Sequence, residues 1–322
     1  MAHFTLQNKA GLRLEGITFG ATLTSLTLPV QGQRREVLLG CPLDAYPSQE
    51  VWMGAIAGRF ANRIGQARLE HDGQSWQLDA NQAPNCLHGG RHGFHRREWS
   101  IADQHEDRIL LTLLSEEGDQ GFPGTLEVEL EYRLEQLDLV IECRAVTSRP
   151  TPVSITSHAY FNLDGQGDVR QHRVTLRADR YLPTSSESLP LSASVVEGVF
   201  DLRNERVLQE GWGSHPQQVQ AKGYDHAFLN AAAPGEWLAR VTSADSQLVM
   251  EMYTNQPSVQ LYTGNWLAGT PRREGGTYAD YAGLCLEAQQ VPDSPNRPEL
   301  GNPWLAPGER YHHQTRYRFM PA

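Results

Sequence analysis

Most signatures that would place this chain in a familiar class are missing. No apolar run approaches the roughly 18 residues of a membrane-crossing helix, so no membrane partner is expected. Basic residues are outnumbered 38 to 28, for a net charge of −10, which leaves no basic face for nucleic acid. The four cysteines (Cys41, Cys86, Cys143 and Cys285) lie far apart and form no CxxC pair. The first residues, MAHFTLQNKAGLRLEG, carry no apolar core of signal-peptide length. Reduced, buried thiols and a cytoplasmic location are therefore expected. There is no HExxH and no His/Cys cluster, so no metal is expected. There is also no GxSxG elbow, phosphate loop or dinucleotide glycine motif, so no cofactor is expected.

What fills the chain instead is strand grammar. Thr125 to Gln136 reads TLEVELEYRLEQ, with Leu126, Val128, Leu130, Tyr132 and Leu134 alternating with charged residues in a strict period of two. A strand of this kind is half buried and belongs to an antiparallel sheet. DRILLTLLSEE before it and DLVIECRAVT after it complete a meander. LRLEGITFGATLTSLTLPV, QHRVTLRADRYLP, SQLVMEMYTN, SVQLYTGNW, GLCLEAQ and QTRYRF read as further strands between turn residues. Helix signals are few, with AYPSQEVWMG and RNERVLQEG as short candidates. No βαβ alternation, repeat or linker appears, so the reading is one all-β domain over residues 1–322, built of packed antiparallel sheets.

Six segments place polar side chains where a plain strand has no use for them. AGRFANRIG offers Arg59, Asn62 and Arg63 as fork-like donors, or else a loop whose arginine pairs with a surface carboxylate. NQAPNCLHGG places His88 before two glycines that permit close backbone approach, although a histidine in a turn is commonly structural. ITSHAYFNLDG lines His158, Tyr160 and Asn162 along one side of an expected strand, either a cleft wall or a solvent-facing edge. GYDHAFLN contributes Asp225 and His226, and SVQLYTGNW contributes Gln260 and Tyr262 on a shared face. In YAGLCLEAQQVPDSPNRP, Glu287 closes an apolar run, a setting that shifts a carboxyl pKa; the plainer reading is a strand end reaching solvent. A base and an acid ringed by Asn, Arg, Asp and Gln suit a polyhydroxylated neutral ligand.

Taken together, GRFANRIG, NxLHGG, HAYFNLDG, DHAF, QLYTGN and LEAQ…PDSPN resemble the aldose 1-epimerase (galactose mutarotase) family, in its order, from about Gly11 to Tyr317. The resemblance implies a β-supersandwich without metal or cofactor. It implies Glu287 as general base and His158 as general acid. Asn62, Arg63, His88, Tyr160, Asp225 and Gln260 match its sugar-contacting positions. Ser157 departs from the pattern, since many members carry Asn there. It is expected to point away from the His158 side and to alter support rather than activity.

The implied reaction interconverts the α and β anomers of a free aldose by ring opening and reclosure, with a small-molecule sugar as partner. Monomer or weak homodimer is the expected assembly. Two alternatives share the fold: a hexose 6-phosphate epimerase, which needs a basic cluster where only Arg63 is evident, and a catalytically silent sugar-binding domain. Reference pKa values are about 4.3 for Glu and about 6.5 for His. An opposite-charge pair is expected to move Glu287 down and His158 up.

Overall fold

The computed structural model describes residues 1–322 and is built almost wholly of antiparallel strands. The charge-alternating segment forms the strand Leu126–Glu135, and every second side chain from Leu126 to Leu134 is buried. Each fully buried Leu there contributes about 2 kcal/mol of hydrophobic stabilisation relative to exposure. This strand pairs with Arg108–Ser115 and Asp138–Thr147, the expected meander. The meander is part of a nine-stranded sheet in the order 100–104, 108–115, 126–135, 138–147, 311–321, 248–254, 239–242, 173–176 and 206–207. The C-terminal strand Tyr311–Pro321 thus lies in the middle of the sheet, between Asp138–Thr147 and Leu248–Thr254.

A four-stranded N-terminal sheet covers residues 3 to 36. A five-stranded sheet runs in the order 194–195, 180–181, 225–229, 258–262 and 285–289. One hydrophobic cluster of 58 buried residues, from Phe4 to Phe319, draws on all three sheets.

Both expected helices are absent. In AYPSQEVWMG the Gln49 side chain accepts the backbone N–H groups of Val51 and Met53, which folds the segment into turns around Pro47. RNERVLQEG forms a short edge strand, Arg206–Val207, against Arg173–Leu176. The one α-helix is Pro216–Ala221, whose PQQVQA sequence carries no apolar stripe to announce it. It begins where His215 Nδ1 accepts the Gln217 N–H, and ends at Lys222 in the left-handed region (φ 60°).

Candidate active site

Strand alternation sets one wall of the site. Asp225 pairs with Tyr262, Tyr262 with Cys285, and Gln260 with Glu287, so these five side chains share one face of the five-stranded sheet. On the other face Phe228, Val259, Leu261, Leu286 and Ala288 enter the large core. A carboxylate on this strand therefore stands above a packed apolar layer while facing away from it.

The opposite wall comes from the segment around His158. Thr156 and Ser157 pair with Ile56 and Ala57. His158 donates its N–H to Ala55 O at 2.9 Å and accepts from Gly54 N at 3.0 Å. Phe161 N–H donates to Leu284 O at 2.7 Å, which fastens the segment to the chain leading into the Glu287 strand. His158 and Tyr160 both face the cavity, and the Tyr160 hydroxyl donates to Val51 O. Asn162 departs from the expected row: its amide turns to the carbonyls of Gln166, Gly167 and Ala282. Ser157 is buried outside the cavity wall and its hydroxyl finds no partner.

The two walls enclose a cavity of about 510 Å³. His158 and Glu287 are 4% and 2% exposed, with Nε2 and Oε1 3.8 Å apart. Asn62, Arg63, His88, Tyr160 and Asp225 also line it. Backbone N–H of Asn62 donates to His88 Nδ1, so the neutral ring carries its proton on Nε2. Arg63 is steadied by a 2.7 Å bond from Nε to Gln82 Oε1. Gln260 stands one layer behind the wall and donates to Asp225 Oδ1 at 2.7 Å. Its placement suits holding Asp225 rather than the direct contact implied by the resemblance. Arg59 also lies outside: it is buried and donates to the carbonyls of Ser115, Glu116, Pro123 and Gly124, which ties the Asn62 loop to the meander. His226 points to the other face of its strand and meets Gln217.

The sequence reading missed Trp52, Glu50, Gln82, the Ser186–Ser188 tip and Trp266, all of which line the cavity. Gln82 lies in NQAPNCLHGG, Glu50 and Trp52 lie in AYPSQEVWMG, and Trp266, 59% exposed, ends SVQLYTGNW, so four of these residues stand in segments read above. Trp52, Asn62 and His88 all have positive φ (52°, 67° and 51°), a conformation non-glycine residues adopt at an energetic cost and which gathers at functional sites. A larger groove of about 860 Å³, between residues 65–72 and 293–304, contains none of the predicted site residues. Its more open shape and scattered polar groups give no convergent chemistry.

Burial reverses the expected electrostatics. Desolvation pushes His158 down to about 4 and raises Glu287 well above the ordinary carboxyl range, reinforced by Asp225 and opposed by Arg63. His88 is also lowered, chiefly by desolvation. The mutual attraction expected from the sequence is outweighed because both groups leave water for a closed wall. Both shifts favour the neutral forms, a protonated carboxyl beside an unprotonated imidazole. One ligand-type atom each from His88, His158 and Glu287 lie within 4.8 Å of one another, a trio that could hold a divalent ion. An ion there would take the positions from which a proton is exchanged, so the two uses exclude each other.

The profile of the Aldose 1-epimerase family matches residues 2–318. The chain is 43% identical to the aldose 1-epimerase of Escherichia coli K12, over 98% of this chain and 94% of that one. It is 38% identical to the human galactose mutarotase, over 99% and 94%. Among solved structures, an aldose epimerase homologue from C. elegans superposes with a TM-score of 0.93 at 27% identity, covering 100% of this chain and 99% of the other. Galactose 1-epimerase from Lactobacillus acidophilus gives 0.88 at 27% identity, covering 99% and 94%.

Proposed function

The chain belongs to the aldose 1-epimerase family and is an isomerase of that activity. From that premise we propose that Glu287 and His158 carry the reaction on free hexoses such as galactose and glucose. The observation that carries the reading is their 3.8 Å separation on facing walls. The ring oxygen and the anomeric hydroxyl hang on one carbon, so the groups serving them must stand side by side.

Ionised Glu287 takes the proton from the anomeric hydroxyl, whose electrons form the aldehyde C=O. The bond from the anomeric carbon to the ring oxygen breaks, and protonated His158 gives its Nε2 proton to that oxygen. The neutral pair left behind is the state that burial favours, so the site accommodates the open chain. Rotation about the bond to the neighbouring carbon and the reverse transfers then close the other anomer. Each positioned acid or base contributes about 10²–10⁴-fold. Asn62, Arg63, His88, Tyr160 and Asp225 hold sugar hydroxyls, and Gln260 holds Asp225.

Glu50, Asp225 and Glu287 line the cavity against one guanidinium, Arg63, which argues against a phosphorylated sugar. The whole chain serves as one domain, supported by the core running from Phe4 to Phe319. It works as a monomer or weak homodimer, since its exposed large apolar residues are scattered in sequence from Met1 to Trp266. A cytoplasmic setting suits its four free, buried thiols. Polarimetry on fresh α-glucose and α-galactose, with hexose 6-phosphates in parallel, tests the substrate class. Faster equilibration of the free sugars is expected; acceleration confined to the phosphates would overturn it.

A further inference from the structure

The same strand that presents Glu287 also presents Cys285, two residues earlier and on the same face. Its Sγ lies 3.5 Å from His158 Nδ1, while His158 Nε2 faces Glu287. The resulting Cys–His–Glu line has the outline of a nucleophilic triad, but its thiol is wrong for that use. Cys285 is 0% exposed, does not line the cavity, and no substrate atom reaches it. Burial holds the thiol in its protonated form, and the neighbouring acidic groups Glu287 and Asp225 act in the same direction.

We propose that Cys285 is the positioning residue for His158: its neutral sulfur receives the Nδ1 proton, aims Nε2 at the substrate beside Glu287, and leaves the imidazolium a ready proton donor. The inference rests on the acid–base reading above. In that reading His158 must end each ring opening with its proton on Nδ1 and a bare Nε2. An acceptor at Nδ1 favours that tautomer. The identity of the partner then decides what the ring does best. A carboxylate at Nδ1 stabilises the imidazolium and makes a histidine a good base. A neutral thiol accepts only weakly and gives the imidazolium little stabilisation. That suits a histidine whose task is to give its proton to a ring oxygen of low basicity.

Apart from the residue's own main-chain carbonyl, which also supports a proton on the ring, Cys285 is the one group beside Nδ1. The titratable and charged groups near the ring are Glu287 and Cys285 on one strand, Tyr262 on the next, Tyr160 on its own segment, and His88. His95 lies beyond Trp52, with Arg63 and Asp225 elsewhere on the cavity wall. The Tyr160 hydroxyl is committed to Val51 O, and that of Tyr262 to Trp266 N–H.

The test compares Cys285→Ala and Cys285→Ser with the wild-type full chain. Cys285→Ala is expected to lower kcat about threefold, the worth of one weak hydrogen bond, with KM within about twofold. Its ¹⁵N spectrum should show His158 divided between the two neutral tautomers. Cys285→Ser, which restores a neutral acceptor, should recover most of kcat and the Nδ1–H tautomer. A Cys285→Ala enzyme with wild-type kcat and a single Nδ1–H tautomer would overturn the proposal. So would Ala and Ser variants that lose activity equally, in step with a fall in Tm. His158→Gln run alongside separates the two ideas: if it too keeps wild-type kcat, the acid–base reading itself has failed.

Discussion

Inverted protonation of the central pair leads to a prediction opposite to simple charge pairing. Lowering His158 from 6.5 to about 4 corresponds to about 3 kcal/mol against forming the imidazolium within the wall. Burial also raises Glu287, so the carboxyl keeps its proton into the range where an ordinary Glu is ionised. The active enzyme holds one proton on the pair. On the acid side, activity falls when a second proton loads His158, with an apparent pKa of about 4. On the alkaline side it falls when the pair loses its only proton, and that proton belongs mainly to Glu287. The kcat/KM profile should therefore show a low acid limb reporting the histidine and a limb on the alkaline side reporting the raised carboxyl. Both limbs are macroscopic constants of the pair, so assignment requires a second probe. Ring ¹⁵N shifts of His158, identified by loss of the signal in His158→Gln, supply it. The imidazole should remain neutral at pH 6. If it titrates near 6.5 or above, or if Glu287 is ionised at pH 6 by infrared spectroscopy, the argument from burial fails.

Glu287→Gln should lower kcat by at least about 10² and at the same time raise Tm at pH 7. A carboxyl whose folded pKa is raised stabilises only at low pH and loses that contribution as pH rises, so removing it should help; an unchanged or lower Tm would contradict its placement. Asp225→Asn and Arg63→Lys should raise KM more than they lower kcat, read by initial-rate polarimetry, and a pure kcat effect would move either residue into the proton chemistry. Six buried histidines (88, 95, 158, 172, 226 and 313) are all held below their ordinary value by burial. The unfolded chain then binds more protons than the folded one, so stability falls as pH drops below about 6.5, until the folded values near 3 to 4 are reached. Between pH 7 and 5.5 the loss is about 1.3 kcal/mol per histidine and about 7.5 kcal/mol for the six together, comparable with the total stability of an ordinary domain. Denaturant midpoints at the two pH values measure it, and equal midpoints would refute it. Prolonged chelation should leave mutarotation unchanged; activity lost and restored by one divalent ion would give the His88–His158–Glu287 trio a different role.

Much of this architecture was legible in the sequence because its signals are local. Period-two alternation named the strand Leu126–Glu135 to within a residue at each end. The polar segments around Asn62, His88, His158, Asp225 and Glu287 converge on one cavity. What escaped was set by contacts between distant segments. Asn162 sits on the expected side of its chain by spacing alone, yet carbonyls as far away as Ala282 turn it aside. Gln260 shares a strand face with Tyr262, but the bond to Asp225 holds it behind the wall. The sign of the His158 shift depended on how dry the site is, which no local pattern records. Cys285 looked like one more apolar residue in GLCL until the register placed its sulfur beside an imidazole.

The central place of Tyr311–Pro321 also decides when the protein can exist at all. These residues leave the ribosome after both of their partners, Asp138–Ala145 on one side and Leu248–Thr254 on the other. Until this strand emerges, the nine-stranded sheet is two half-sheets, each with a bare inner edge of unmatched N–H and C=O groups. Such edges recruit other chains, and long-range pairing is slow to form. This sheet is therefore completed only once residues 311–321 are free to pair, and the nascent chain must be shielded meanwhile. Deleting this strand alone yields no slightly shortened enzyme; it yields two adhesive edges with nothing between them.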